Sequence, residues 1–365
     1  MSLKSRLWRQ LDAAIEAAPE PLQRATLRAQ RAVLMARHGR EDQARDELSA
    51  LHMQAFQSPN SALSAWLHYA EGLTSYFSDM GSNAADKLRR AEAAAQAQGL
   101  AELQALAAAW QAYMAFVRHD VKALAAHAQG ARRLAVPGHH AALGRLAIVL
   151  GIAHDFAGTE YSPAWYAEAR RHASAEGDDA SQSALIYNMT AMRVARLRRQ
   201  HLDSPTQAMP EHLLGADSVA HYDAAVDVAV LPHLTPLLRA QLLVLQGDYA
   251  QAQALYAEHL PPARARGLAR LGSSLLAEVA WCRVNLGEPE LALQQAQDAE
   301  QELDLATDAD DRAASLSRLA QVYVALGRRE QADGLTQRAA AEWSQVKREQ
   351  AEWTGVLTAA GLLKP

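Results

Sequence analysis

The apolar positions of this chain are filled mainly by Ala and Leu, and the pattern in which they fall among polar residues suits helices rather than strands. Stretches such as Ala91–Ala97 and Leu103–Ala109 lack the β-branched and aromatic side chains that a pleated sheet would bury. Small, unbranched side chains instead let helices approach closely. Trp110, Tyr113 and Phe116 follow at helical spacing, and further helices are predicted over Ser181–Gln200 and Leu335–Leu357. The fold class expected is all-α.

A period organises these helices. Gly247, Gly287 and Gly327 stand 40 residues apart. Seven residues before each is an alanine (Ala240, Ala280, Ala320), and five after each is another (Ala252, Ala292, Ala332). Ala32, Gly39 and Ala44 keep both spacings near the N-terminus. The physical reading is a helix ended by a left-handed glycine, followed by a second helix folding back antiparallel. The two alanines then mark where the paired helices come closest, since a larger side chain would force them apart. Polar turns agree with this: Gly39-Arg40, Gly247-Asp248, Gly287-Glu288 and Gly327-Arg328, with Pro289 suited to a first helical turn.

Weaker units fill the middle. Leu73, Phe77 and Gly81 precede Ala85, Leu88 and Ala91 with one residue missing, and Ala112 precedes a turn at His119-Asp120 with Leu124 in the alanine place. Gly151 and Gly158 keep the seven-residue spacing, with 160–163 as an insertion. The stretch Leu202–Pro210 is irregular, and Leu231–Pro236 is a second break. Seven to eight helix pairs result. They divide into N-terminal repeats over 1–201, an irregular connection over 202–236, the best-matching repeats over 237–340, and a capping helix and tail over 341–365.

The frame resembles the tetratricopeptide repeat family. Leu319, Ala320, Tyr323, Gly327, Ala332 and Ala339 match that family's small, large and glycine places, as do Ala32, Met35, Gly39, Ala44 and Leu48. The repeats are longer than the family's usual length of about 34 residues. The family's tryptophan and late proline are missing, so the units look like the long variants of bacterial signalling and transcription regulators. HEAT-like repeats share the length, but the glycine-then-alanine spacing argues against them. The resemblance implies a right-handed α-α superhelix whose concave face is lined by the first helix of each pair.

Counted from the turns, the family's inward-facing places fall on Trp110, Tyr113 and Phe116; on Arg145, Ile152 and Asp155; and on Asn188, Met192 and Arg196. Further along they fall on Glu278, Trp281 and Asn285, and on Arg318 and Gln321. Aromatic anchors beside Arg and Asn donors are what peptide recognition uses. The same residues could equally be packing between neighbouring pairs, and Asn188 could simply bond a neighbouring helix. The Lys and Asn set by which some family members hold a chaperone's C-terminal carboxylate is not reproduced.

Composition narrows the function. Half of the residues are apolar, 36 basic residues stand against 41 acidic ones, and the net charge is −5. Nucleic acid is therefore not the expected partner, although four arginines fall within 193–199. A solvated or partner-facing surface is the reading for those arginines. The single cysteine, Cys282, excludes an internal disulfide and a cysteine metal cluster, and a buried helical position is expected for it. No stretch reaches the ~18 uncharged apolar residues of a membrane span, and the N-terminus has no signal-like core. A cytoplasmic location is expected.

No phosphate loop, catalytic constellation or metal set is legible, and His139-His140 is expected in a loop. The chain is expected not to be an enzyme and to need no cofactor or metal. It is read as a scaffold or adaptor that binds a protein or peptide segment in its groove. The alternative is a regulator that senses a ligand or signal peptide and acts on a separate output protein. The end helix, with Trp343, Val346 and Trp353, would cap the last repeat or form a homodimer interface.

Overall fold

The computed structural model describes residues 5–79, 83–203, 215–226, 228–229, 232–267, 272–303 and 308–365. Among them seventeen α-helices follow one another without a strand. They are α1 (Arg6–Ala17), α2 (Pro21–Arg37), α3 (Glu41–Gln57), α4 (Ser61–Asp79), α5 (Ala84–Ala97) and α6 (Ala101–Val117). Next come α7 (Val121–Leu134), α8 (His140–Ala157), α9 (Ser162–Glu176), α10 (Asp179–Asp203), α11 (Gly215–Val226) and α12 (Leu234–Gln246). The last are α13 (Tyr249–Ala265), α14 (Gly272–Asn285), α15 (Pro289–Gln301), α16 (Ala309–Ala325) and α17 (Arg329–Ala359). The all-α repeat architecture expected from the sequence is what the structure shows.

The local cause is the predicted turn. Gly39, Gly247, Gly287 and Gly327 are left-handed, with φ of 75°, 81°, 78° and 74°. At each, the next residue donates its N–H five residues back while the glycine donates three back. At Gly327 these bonds are Arg328 N–H to Tyr323 O at 2.8 Å and Gly327 N–H to Val324 O at 3.0 Å. They satisfy carbonyls that a helix end leaves open. The flanking alanines at 32, 44, 240, 252, 280, 292, 320 and 332 are all buried. His119 makes the same turn without a glycine, at φ 54°, and Asp120 then caps α7 by accepting from Ala123 N–H at 2.9 Å.

Each first helix packs on the second of its pair: α2 on α3, α4 on α5, α6 on α7, α8 on α9, α12 on α13 and α14 on α15. Arg312 pairs with Glu342 at 2.9 Å to join α16 to α17, and Ser183 donates to Asp223 at 2.5 Å to join α10 to α11. First helices of neighbouring pairs also touch, α2 with α4, α6 with α8 and α14 with α16. Within one pair, α8 approaches α9 closely at Gly151, where an added Cβ would lie 2.4 Å from Tyr166 Cε1.

The helices form two compact units. One comprises Met1–Asn188, Val219–Leu231 and Trp353–Pro365, the other Met189–Ser218 and Pro232–Glu352. Both α10 and α17 contribute to each. The stretch 202–236, expected as irregular, contains the end of α10, all of α11 and the start of α12, while residues 204–214 and 230–231 lie outside the described residues. Gly81 lies outside them as well.

In the first unit α6 and α8 are deeply buried, and Leu103, Ile148, Val149 and Leu150 have essentially no exposed surface. The row α2, α4, α6, α8, α10 has its two ends in contact. Leu7 N–H donates to Gly177 O at 3.1 Å, and Arg37 pairs with Asp178 at 2.8 Å. The C-terminal residues close the other side of this unit. Trp353 is 2 % exposed among Phe116, His119 and Phe156, and His154 Nε2 donates to Leu362 O at 2.9 Å. In the second unit the Trp343 indole donates to Ser317 Oγ at 3.0 Å. Among the described residues no helix is long and apolar enough to cross a membrane.

Candidate functional site

The inward-facing places of the repeat frame gather into two clusters, one in each unit. In the first unit, α6 carries Trp110 and Tyr113, three residues apart and therefore on one helical face. Tyr113 is half-buried, but Trp110 is 3 % exposed and packs in the core instead of lining the open groove expected of it. α8 brings Arg145 onto them, with its guanidinium carbon 3.8 Å from the Trp110 ring centroid and 5.9 Å from that of Tyr113. From α4, Tyr76 packs edge-on against Tyr113, and the two hydroxyls hydrogen-bond at 2.7 Å. Tyr76 and Phe77 also pack on Trp110. Tyr69, buried on the same helix, lies within the fields of Arg37, Arg145 and Asp178.

Three arginines among the described residues are more than nine-tenths buried: Arg145, Arg198 and Arg318. Arg145 is 6 % exposed. It makes no hydrogen bond or ion pair among the described residues. Burial first, and then the charge of Arg37, pull its guanidinium down to about 10, which leaves it charged at neutral pH. The nearest carboxylate, Asp178, is committed elsewhere. Its two oxygens meet Arg37, Ser181 N–H and Ser181 Oγ at 2.8 to 3.0 Å. Burial alone would raise the Asp178 carboxyl, but Arg37 outweighs it and holds the group below its ordinary value.

The second cluster pairs its charges internally, with Glu278 between Arg198 and Arg318, although Glu278 Oε2 is buried without a hydrogen bond. Glu278 of α14 and Arg318 of α16 are 1 % and 0 % exposed, so neither faces the open groove expected of them. The C-terminal part of α10 occupies that face. Arg198 donates to Glu278 Oε1 at 2.6 Å, to Ser274 Oγ at 2.8 Å and to Ser274 O at 3.1 Å. Arg318 donates to Glu278 Oε1 at 3.1 Å, to Gln321 Oε1 at 2.6 Å and to His201 Nδ1 at 3.3 Å, and it lies over Trp281. Gln321 in turn donates to Leu202 O at 3.0 Å. Burial would raise the Glu278 carboxyl; Arg318 and Arg198 more than offset this and keep it ionised. Replacing open-groove donors with a closed ion network is the main correction to the expected site.

The other expected residues scatter. Asn188 and Met192 of α10 are half-buried, and Arg196 is exposed. Asn285 turns outward and donates to Trp281 O of its own helix at 2.8 Å. Cys282 is buried, as expected, and burial followed by Glu278 pushes its thiol up to about 12, so no thiolate exists at neutral pH. His140 does not lie in a loop. It opens α8 and shares a hydrogen bond with His172 at 2.9 Å.

Sequence reasoning missed Tyr69, Tyr76, Arg37 and Asp178 in the first cluster, and Arg198 and His201 in the second. For Arg198 a signal existed: of the four arginines in 193–199, one had to face the packed side of any helix. Compared with known protein families and with curated proteins, the chain matches no family model and no curated relative, so the chemistry of these clusters carries the functional reading alone.

Proposed function

We propose that the chain is a non-catalytic binding protein of tetratricopeptide-like construction, whose first unit captures a protein or peptide segment on the faces of α4, α6 and α8. One observation carries this reading: Arg145 is held, desolvated and without an acceptor among the described residues, against the aromatic surface of Trp110 and Tyr113. Flat apolar anchors beside an oriented cation are the elements of a binding hot spot. The second unit supports the assignment by contrast. There α10 covers the corresponding surface, and the buried charges Arg198, Glu278 and Arg318 pair with one another.

Site-specific crosslinking tests the proposal. Benzoylphenylalanine in place of Tyr113 should give, in cells of the source organism, a discrete adduct whose partner peptide can be sequenced. The same group in place of Phe56, which is 84 % exposed on α3, should not. Equal adducts from both positions, or none from Tyr113, would remove the assignment.

A further inference from the structure

The arginines of this chain differ in one respect that points to a ligand. Arg198 and Arg318 share Glu278, and Arg37 has Asp178, but Arg145 is as buried as these and has no anion assigned to it among the described residues. A buried guanidinium without a counter-charge forfeits much of its hydration, and a ring face returns only part of that. The surroundings do not supply the balance. Burial pushes the Tyr69 phenol up from its ordinary value, so it supplies no negative charge. Of the charges that act most strongly on Arg145, Arg37 repels it and Asp178, already bound to Arg37 and Ser181, is the carboxylate that attracts it.

We infer that Arg145 is the receptor for a carboxylate carried by a peptide segment, with an aromatic or aliphatic neighbour of that carboxylate seated against Tyr113. This deepens the proposed binding role of the first unit and rests on it. The charge count selects the chemistry. One free guanidinium, with five donors in a planar fork, matches a single carboxylate in a bidentate pair. A phosphate dianion calls for a second free cation, and Arg37 is already engaged in both hydrogen bonds and charge with Asp178. The wall chemistry selects the neighbour: Tyr113 is half-buried beside the cation and offers an apolar ring edge, backed by Trp110 and Tyr76, which are 3 % and 6 % exposed.

The test uses the full chain and matched probes in thermal unfolding: acetyl-Ala-Ala-Ala-Phe as free acid, its C-terminal amide, acetyl-Ala-Ala-Asp-Phe amide, and inorganic phosphate, each at millimolar concentration. The free acid or the aspartyl peptide should raise the midpoint of the wild-type chain, with the plain amide inert, and the one that acts says whether a chain end or a side chain supplies the group. Arg145→Met and Arg145→Gln should both remain folded and lose this response. The inference is overturned if the amide acts as well as the acids, if phosphate acts better than either, if no probe shifts the wild type, or if the variants respond as it does. A crosslinked partner at Tyr113 combined with carboxylate-indifferent binding would leave the binding face standing and remove only the carboxylate.

Discussion

Glu278 and Arg318 occupy the same place in successive repeats, 40 residues apart, and Arg318 Nε donates to Glu278 Oε1 at 3.1 Å with both residues buried. The repeat thus aligns one acid under one base, and Arg198 from α10 completes the network from outside the frame. Breaking such a set leaves an uncompensated buried charge. Glu278→Gln should therefore lower unfolding stability by about 3–5 kcal/mol in urea titration. Replacing Arg198, Glu278 and Arg318 together with apolar residues of similar volume should restore most of that loss. A triple variant less stable than Glu278→Gln would show that the network holds the fold by more than charge balance.

Buried histidines set the response to acid. His154, His172 and His201 are each pulled below the ordinary histidine value, burial being the largest cause. His201 accepts from Arg318 through Nδ1, which requires its neutral ring, while burial disfavours the charged form of His154 although its Nε2 donates to Leu362 O. The unfolded chain binds protons near pH ~6.5 while the folded chain does not until lower pH. Stability is therefore full above that value and falls as the pH drops from it toward the folded values. Urea midpoints measured between about pH 7.5 and 5.5 should decrease, and His201→Gln should flatten the decrease. A midpoint that rises on acidification would contradict the assignment.

Gly151 marks a tight contact between α8 and α9 in the first unit. Its added methyl would meet the Tyr166 ring, and the Tyr166 hydroxyl is fixed to Asp155 at 2.7 Å, so the ring cannot simply swing away. Gly151→Ala should destabilise by about 1–3 kcal/mol. Gly151→Ala combined with Tyr166→Leu should be more stable than the sum of the two single changes predicts, as a double-mutant cycle would reveal.

Trp353 separates a cap from a dimer contact. It packs against Phe116, His119 and Phe156 with 2 % exposure. Trp353→Ala should cost about 3–5 kcal/mol. It should leave the hydrodynamic size of the folded protein unchanged. A smaller particle with undiminished stability would instead place this tryptophan in an interface between copies.

The glycine and alanine frame was legible because a left-handed turn and a close helix approach each admit few residue types, and both recur at fixed spacing. At His119 the turn was legible from its spacing to Ala112 and Leu124 and not from a glycine; the residue holds φ 54° with a side chain that packs on Trp353. The frame also correctly gathered Trp110 with Tyr113 and Arg145, and Glu278 with Trp281, Arg318 and Gln321. It could not show their burial. Arg198 and His201 belong to the long α10, which follows no repeat spacing, and the Arg37–Asp178 pair joins residues 141 apart with no local pattern between them. Tyr76 escaped because its unit is one residue short of the frame.

The central claim is that Arg145 is kept for a partner and not for the fold. Urea unfolding of Arg145→Met tests it most directly. Stacking on Trp110 contributes about 0.5–2 kcal/mol, whereas the desolvation penalty of an unpaired buried charge is several kcal/mol. The variant, which keeps the apolar volume against the rings, should be as stable as the parent chain or more so. A loss of about 3 kcal/mol or more, comparable to breaking the Glu278 network, would mean that the guanidinium holds the first unit together and would contradict the account.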